Sequence, residues 1–223
     1  MSPDRGGVAA FDFDGTISKR DTLIPFLAKV AGPTRFAGVC ARLGLSGVRR
    51  SVDIRDRDEV KQEMIRLLFA GRTEDELRSR GELYARDLLS DALRPMVVDR
   101  LHRHIDRGHR TVVVSASLVY YLDPVAREFG IDGVIGVEPE VVDGVLTGAL
   151  ARPNVRAGEK AVRLREWLGV APGDPLDAVR LWGYGNTSGD HALLQMSDHA
   201  YWLGRTNKVP AGAEVLTPET PLD

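Results

Sequence analysis

An α/β fold with a parallel sheet and an inserted helical domain is predicted by three observations. Short apolar runs at Val8-Ala9-Ala10, Thr111-Val112-Val113-Val114 and Leu181-Trp182 each end in a polar loop. Helical patterns separate these runs, and strands alternating with helices argue for a parallel sheet with right-handed crossovers. Roughly 90 residues of mostly helical pattern lie between the first and second strands, far beyond ordinary connection lengths, so they form an inserted domain. The expected division is a core from residues 1–18 and 96–223 and a helical domain over 19–95.

The elements follow in order. The first strand ends near Asp12. Asp21 precedes Leu23-Ile24-Pro25-Phe26-Leu27-Ala28 and suits a helix N-cap. Residues 60–69 carry an apolar stripe of Val60, Met64, Leu67 and Leu68 and stop before Gly71, a usual helix end. Thr73-Glu74-Asp75-Glu76 has the form of a capping box, opening a helix with Leu77, Leu83, Tyr84 and Leu88 on its apolar side. Residues 95–107 predict a helix leading into the second strand. That strand ends at Ser115 and opens a helix over 118–129, with Ser117 as its N-cap. A strand over 133–137 precedes a hairpin over 138–150, whose turn is Asp143-Gly144. An amphipathic helix over 161–168, strands over 180–182 and 200–203, and a loosely packed tail rich in Pro, Thr and Gly from Thr206 complete the chain. There are no internal repeats.

Four segments carry chemistry. In Phe11-Asp12-Phe13-Asp14-Gly15-Thr16 two carboxylates two positions apart share one strand face, and the Gly-Thr break lets both converge on one site. Buried acids at a strand end are unfavourable without a cation or hydrogen bonds to compensate. The bland alternative is a strand followed by an Asp-Gly turn. In Ser115-Ala116-Ser117 a strand-to-helix turn offers backbone N–H groups to an anion. Lys160 stands just ahead of an amphipathic stretch in a chain otherwise rich in arginine; alone it would be a solvated surface charge. In Gly183-Tyr184-Gly185-Asn186-Thr187-Ser188-Gly189-Asp190 a strand runs into a Gly-rich loop with an amide and, one helical turn later, a carboxylate. Strand ends of an open parallel sheet lie along one edge, where ligands bind.

This ordered set resembles the haloacid dehalogenase (HAD) superfamily, through Asp12-Phe13-Asp14-Gly15-Thr16, Ser115, Lys160 and the Gly185-to-Asp190 loop. Within it the chain is similar to the phosphoserine-phosphatase-like subfamily IB, through Leu118-Val119-Tyr120-Tyr121-Leu122 and the Val142-to-Gly148 hairpin. The resemblance implies a Rossmann-like core, with the insertion as a helical C1 cap over the catalytic edge. It also implies a phosphatase in which Asp12 is the nucleophile, forming an aspartyl-phosphate, and Asp14 is the general acid and then base. Ser115, Ala116 and Lys160 would hold phosphoryl oxygens. Mg²⁺ would be held by Asp12, the Asp14 carbonyl and the loop carrying Asn186 and Asp190; hard oxygen donors suit that ion. Many members have Asp where this chain has Asn186, which leaves open whether Asn186 or Asp190 touches the metal. Asp21 and Arg57 are candidates for contacting the amine and carboxylate of a phosphoserine-like substrate, with Arg55, Lys61 and Arg66 also on the cap.

Composition narrows the partners. A net charge of -2 gives no support for nucleic-acid binding. The single Cys40 excludes an internal disulfide framework and suits a reducing, cytoplasmic setting. The first residues lack the apolar core of a signal peptide, and no apolar run is long enough to cross a bilayer, so no stable membrane association is expected. The expected partner is a small phosphomonoester such as phosphoserine, histidinol phosphate, a sugar phosphate or a lipid phosphate, acted on by a monomer or homodimer. Two other readings stand beside this one: a dehalogenase, against which Asp14 speaks, and a weakly catalytic regulatory or binding protein, motivated by Asn186.

Overall fold

The computed structural model describes residues 6–44 and 54–222, with residues 54–58 described by backbone alone. Six strands form a parallel sheet: β1 (Gly6–Phe11), β2 (Arg110–Leu118), β3 (Gly133–Val137), β6 (Val179–Gly185), β7 (His199–Trp202) and β8 (Ala213–Val215). Their order is β3-β2-β1-β6-β7-β8. β1 is central, flanked by β2 and β6, so everything at its carboxyl end lies in the middle of the binding edge. The strand is buried and apolar because both faces are covered. On one face Phe11 stacks on Tyr184 at 4.3 Å between centroids. On the other, Val8 and Ala10 pack with Leu164 of α7 (Gly158–Leu168) and with Leu193 of α8 (His191–Gln195).

Among the described residues, four helices follow β1 before the chain returns to the core: α1 (Leu23–Ala31), α2 (Pro33–Arg42), α3 (Ile54–Phe69) and α4 (Glu74–Asp87). The Thr73 hydroxyl accepts the Glu76 N–H, as the capping pattern predicts, and α3 stops before Gly71 at φ +80°. The chain leaves and re-enters the core at one place. Ser18 pairs antiparallel with Leu93, Lys19 N–H donates to Ala92 O at 2.8 Å, and Arg94 N–H donates to Ile17 O at 2.8 Å. From these helices Phe26 packs against Phe69 and Tyr84, and both Phe26 and Tyr84 pack against Tyr121 of α6 (Val119–Phe129).

The hairpin is β4 (Pro139–Val142) and β5 (Val145–Leu150), turning through Asp143 at φ 50° and Gly144 at φ 77°. Those two positive values are what a tight two-residue turn demands, hence Asp-Gly. Two expectations need correction. β2 runs on to Leu118, and α6 begins at Val119 with Leu118 as its boundary residue, so Ser117 caps no helix. Its hydroxyl instead donates to the Asp14 carboxylate, where the register of β2 against β3 shifts. Nor is the tail loose. It contributes β8, parallel to β7, and its carbonyls at Thr220 and Pro221 accept from Arg100 at 2.8 and 2.6 Å.

Arg100 belongs to α5 (Pro95–Asp106), which lays a polar network against the Phe11 face of the sheet. Arg100 Nε donates to the Tyr184 hydroxyl at 2.9 Å, and that hydroxyl lies 2.8 Å from His104 Nε2. His104 Nδ1 faces His109 Nδ1 at 2.8 Å. A neutral His104 protonated on Nδ1 satisfies both contacts, accepting from Tyr184 and donating to His109. Burial, His109 and Arg100 push the His104 imidazole down to about 3. Because the folded value lies below the ordinary 6.5, the unfolded chain takes the proton first, and stability falls as pH drops from 6.5 towards 3. Urea titrations across that window are expected to show His104→Gln losing less stability per pH unit than the parent, by up to ~1.4 kcal/mol per unit for the one proton removed. Equal slopes in the two proteins would exclude His104 as the source.

Candidate active site

At the end of β1 the chain turns sharply. The Ser18 N–H closes onto Phe13 O at 2.9 Å, and Gly15 sits at φ +80°. A Cβ at Gly15 would lie 2.1 Å from Asn186 Nδ2, so glycine is required both by the backbone and by the loop pressed against it. This turn sends the two acids to different partners. Asp12 Oδ1 accepts from Lys160 Nζ at 2.6 Å, and Oδ2 accepts from Thr16 Oγ1 at 3.1 Å. Asp14 Oδ1 accepts from Thr22 N and Oγ1 at 2.8 and 2.5 Å, and its Oδ2 accepts from the Ser117 hydroxyl.

Lys160 is buried, and its ammonium is fully engaged. It donates to Asp12, to Asp190 Oδ1 at 2.7 Å and to the carbonyl of Val114 in β2 at 2.6 Å. Asp190 Oδ2 in turn accepts from the N–H groups of Asn186 and Thr187 and from Thr187 Oγ1, folding residues 186–190 into a capped turn. Gly185 allows this, since a Cβ there would meet Asp190 Cβ at 2.5 Å. Burial disfavours charge on Lys160, but Asp12 and Asp190 outweigh it and raise its pKa. Burial opposes ionisation of Asp190 as well, yet Lys160 and the loop amides hold it below the usual carboxylate range. For Asp12, burial and the Asp190 charge dominate and push it upward against the pull of Lys160. Asp14 is raised by burial and by Asp21, against the pull of its three hydroxyl and amide donors.

The structure therefore brings Asp12, Lys160 and Asp190 into direct contact, with Asp14 two residues along. Asp12, Asp14, Ala116, Lys160, Asn186 and Asp190 all line one cleft of about 1700 Å³. Ser115 is buried, its Oγ accepts the Ser117 N–H at 3.2 Å, and it does not reach the cleft wall. Asp21 is exposed at the cleft and also accepts the Ile24 N–H at 3.1 Å, so it serves the α1 terminus and faces the site together. Lys61 lines the cleft, whereas Arg66 pairs with Glu63 away from it. The side chains of Arg55 and Arg57 lie outside the described residues. Sequence reasoning missed the hydroxyls of Thr22 and Ser117 as partners of Asp14. Only the two-residue spacing of Ser115 and Ser117 offered a signal for the second.

The metal-holding expectation can be tested on the donors. Among the described residues no three His, Cys, Asp or Glu side chains gather as a metal cluster. Asn186 Oδ1, however, is buried and has no hydrogen-bond partner, while both Asp190 oxygens are occupied. An orphaned amide oxygen beside a carboxylate is an oxygen-only donor set that fits a hard divalent cation.

A buried, cation-paired aspartate thus ends the central strand, with a second acid beside it. The chain belongs to the haloacid dehalogenase-like hydrolases, whose family profile matches residues 9–195. It is 34% identical over 192 residues to Protein CicA of Caulobacter vibrioides, covering 86% of this chain and 83% of that one. It is 23% identical over 201 residues to phosphoserine phosphatase SerB1 of Mycobacterium tuberculosis, covering 86% of this chain and 63% of that one. A Bordetella pertussis protein described as having unknown function shares the fold, with a TM-score of 0.71, 24% identity, and 91% and 92% of the two chains covered.

Removing the central cation exposes its role. Lys160→Met leaves two buried carboxylates without a counter-charge and is expected to lower unfolding free energy at neutral pH by roughly 3–5 kcal/mol. The loss should shrink on acidification, as Asp12 takes up a proton and the repulsion fades. Denaturant titrations at two pH values read both effects; a loss under ~1 kcal/mol would mean the ammonium only balances its own desolvation.

Proposed function

We propose that the protein hydrolyses a small phosphomonoester through an aspartyl-phosphate on Asp12. The carrying observation is the buried Lys160 ammonium that fixes Asp12 Oδ1 at 2.6 Å at the end of the central strand. Held there by Lys160 and Thr16, the carboxylate attacks phosphorus while the bond to the leaving oxygen breaks. Asp14, whose pKa is raised by burial and Asp21, keeps a protonated fraction and delivers that proton to the leaving oxygen. Asp14 then accepts a proton from water, which attacks phosphorus and restores Asp12. Thr22 and Ser117 keep Asp14 oriented through both half-reactions. Lys160 offsets charge on the phosphoryl oxygens, and the backbone at Ala116 lines their path, while Ser115, turned to the Ser117 N–H behind that wall, supports the turn.

Mg²⁺ would be held by Asp12, the Asp14 carbonyl and Asn186 Oδ1, and when bound it neutralises phosphate charge. Asp190 would then act on the metal only by holding the loop and Lys160. Helices α1–α4, entering and leaving at one point, would form the cap over this edge, with Asp21, Lys61 and Arg57 as candidates for substrate selection. The phosphoserine phosphatase among the relatives supports a small phosphorylated metabolite as the substrate class.

Purified protein with MgCl₂ is expected to release p-nitrophenol from p-nitrophenyl phosphate. Asp12→Asn should drop to background while retaining the parent's circular dichroism; turnover in that variant would remove Asp12 as nucleophile. In Mg²⁺ titrations of activity, Asn186→Ala should raise the half-saturating concentration by about 10–100-fold. Asp190→Asn should lower the unfolding midpoint with a smaller effect on Mg²⁺. The reverse ranking would assign the metal contact to Asp190.

A further inference from the structure

The charge of the cleft exceeds what one phosphoryl group requires. Besides Lys160, seven other Lys or Arg side chains line it, against four carboxylates, in a chain of net charge -2. Two of those carboxylates, Asp12 and Asp190, share the single charge of Lys160. Two of the seven, Arg205 and Lys208, stand in the loop after β7, which no assigned chemistry uses. Leu203 N–H donates to Gly185 O at 2.8 Å, joining this loop to the end of β6. A Cβ at Gly204 would fall 2.2 Å from Asn186 O, so the loop lies directly against the backbone of the candidate metal turn. Its conformation is fixed, because Arg205 O accepts from Trp202 Nε1 at 3.0 Å and from Lys208 N–H at 2.9 Å.

That turn puts the Arg205 and Lys208 side chains on the wall of the same cleft as Asp12 and Asn186. Both residues are solvent-exposed, and neither side chain has an ion pair among the described residues. Two cations of opposite style, one a planar fork and one a mobile point charge, suit a phosphate better than a carboxylate alone. The volume of about 1700 Å³ leaves room for a ligand extending beyond its reacting end.

Resting on the phosphatase reading, we propose that Arg205 and Lys208 form a second phosphate subsite. The preferred substrates then carry a distal phosphate in addition to the phosphomonoester that is cleaved. The distal group is bound and released unchanged; the bond broken is the one at Asp12.

Alkyl phosphates of one chain length, ending in a methyl, a carboxylate or a second phosphate, test this by phosphate release with Mg²⁺. The bisphosphate is expected to have the highest kcat/KM. Arg205→Ala/Lys208→Ala should lower it by about tenfold, the scale of two partly exposed charge contacts, and leave the methyl-ended ester unchanged. A preference for the carboxylate, or equal losses on all three esters, would overturn the proposal while leaving the phosphatase reading intact. Binding of an alkyl bisphosphonate and of the monophosphonate of equal length, followed calorimetrically in parent and double variant, reads the subsite without turnover. Bisphosphonate binding that depends on Arg205 and Lys208 in a protein without turnover would sustain the subsite and sink the phosphatase reading. Identical bisphosphonate affinity in parent and variant would sink the subsite itself.

Discussion

The Lys160 ammonium is the interaction on which the site depends. It is buried, and its three donors reach three separate parts of the core: the end of β1 through Asp12, β2 through the Val114 carbonyl, and the loop after β6 through Asp190. A buried ammonium is tolerable only with such complete compensation, and each carboxylate is tolerable only because of the ammonium. The central three strands and α7 are therefore tied at the carboxyl ends of the strands by electrostatics, whereas further down the sheet they are held by apolar packing. Asp190 illustrates the economy of this arrangement: one oxygen serves Lys160 and the other organises the turn that presents Asn186.

The two faces of the sheet divide the labour. On the α7 side, alternation along β1 places Val8 and Ala10 in the core and Asp12 beyond them, against Lys160. On the α5 side, Phe11 and Tyr184 stack, and Tyr184 carries a polar cluster of Arg100 and His104. That second cluster fixes the strand that leads into Gly185 and Asn186, and the Tyr184 carbonyl of that strand accepts the Asp12 N–H at 2.9 Å. Its Arg100 also gathers the carbonyls at the end of the chain, so the tail is integral to the core.

Much of this was legible in the sequence because it is local. The strand ends, the Asp-Gly hairpin turn, the Thr73 cap and the four polar segments each depend on neighbouring residues and a short-range rule. The long insertion was legible from length alone. What escaped depended on distant contacts. Ser117 stands where a helix cap would, and only the proximity of Asp14, 103 positions away in sequence, turns its hydroxyl into a carboxylate partner. β8 is three residues long, too short for any periodicity to betray it, and it is a strand because β7 offers it an edge. That Asn186 Oδ1 is left unpaired while both Asp190 oxygens are occupied is likewise a property of the folded loop and not of residue type.

The antiparallel contact between residues 17–19 and 92–94 has a consequence for how the chain can change. Closing a connection between two neighbouring parallel strands carries an entropy penalty that grows with the logarithm of its length. Here the departing and returning segments are hydrogen-bonded to each other at the border of the core, so the sheet experiences only a short bridge, whatever lies beyond it. The helices past that border are thus topologically insulated. Their length beyond the bridge leaves the register of β1 against β2 to the core strands, so long as Phe26 and Tyr84 keep their seat on Tyr121 of α6.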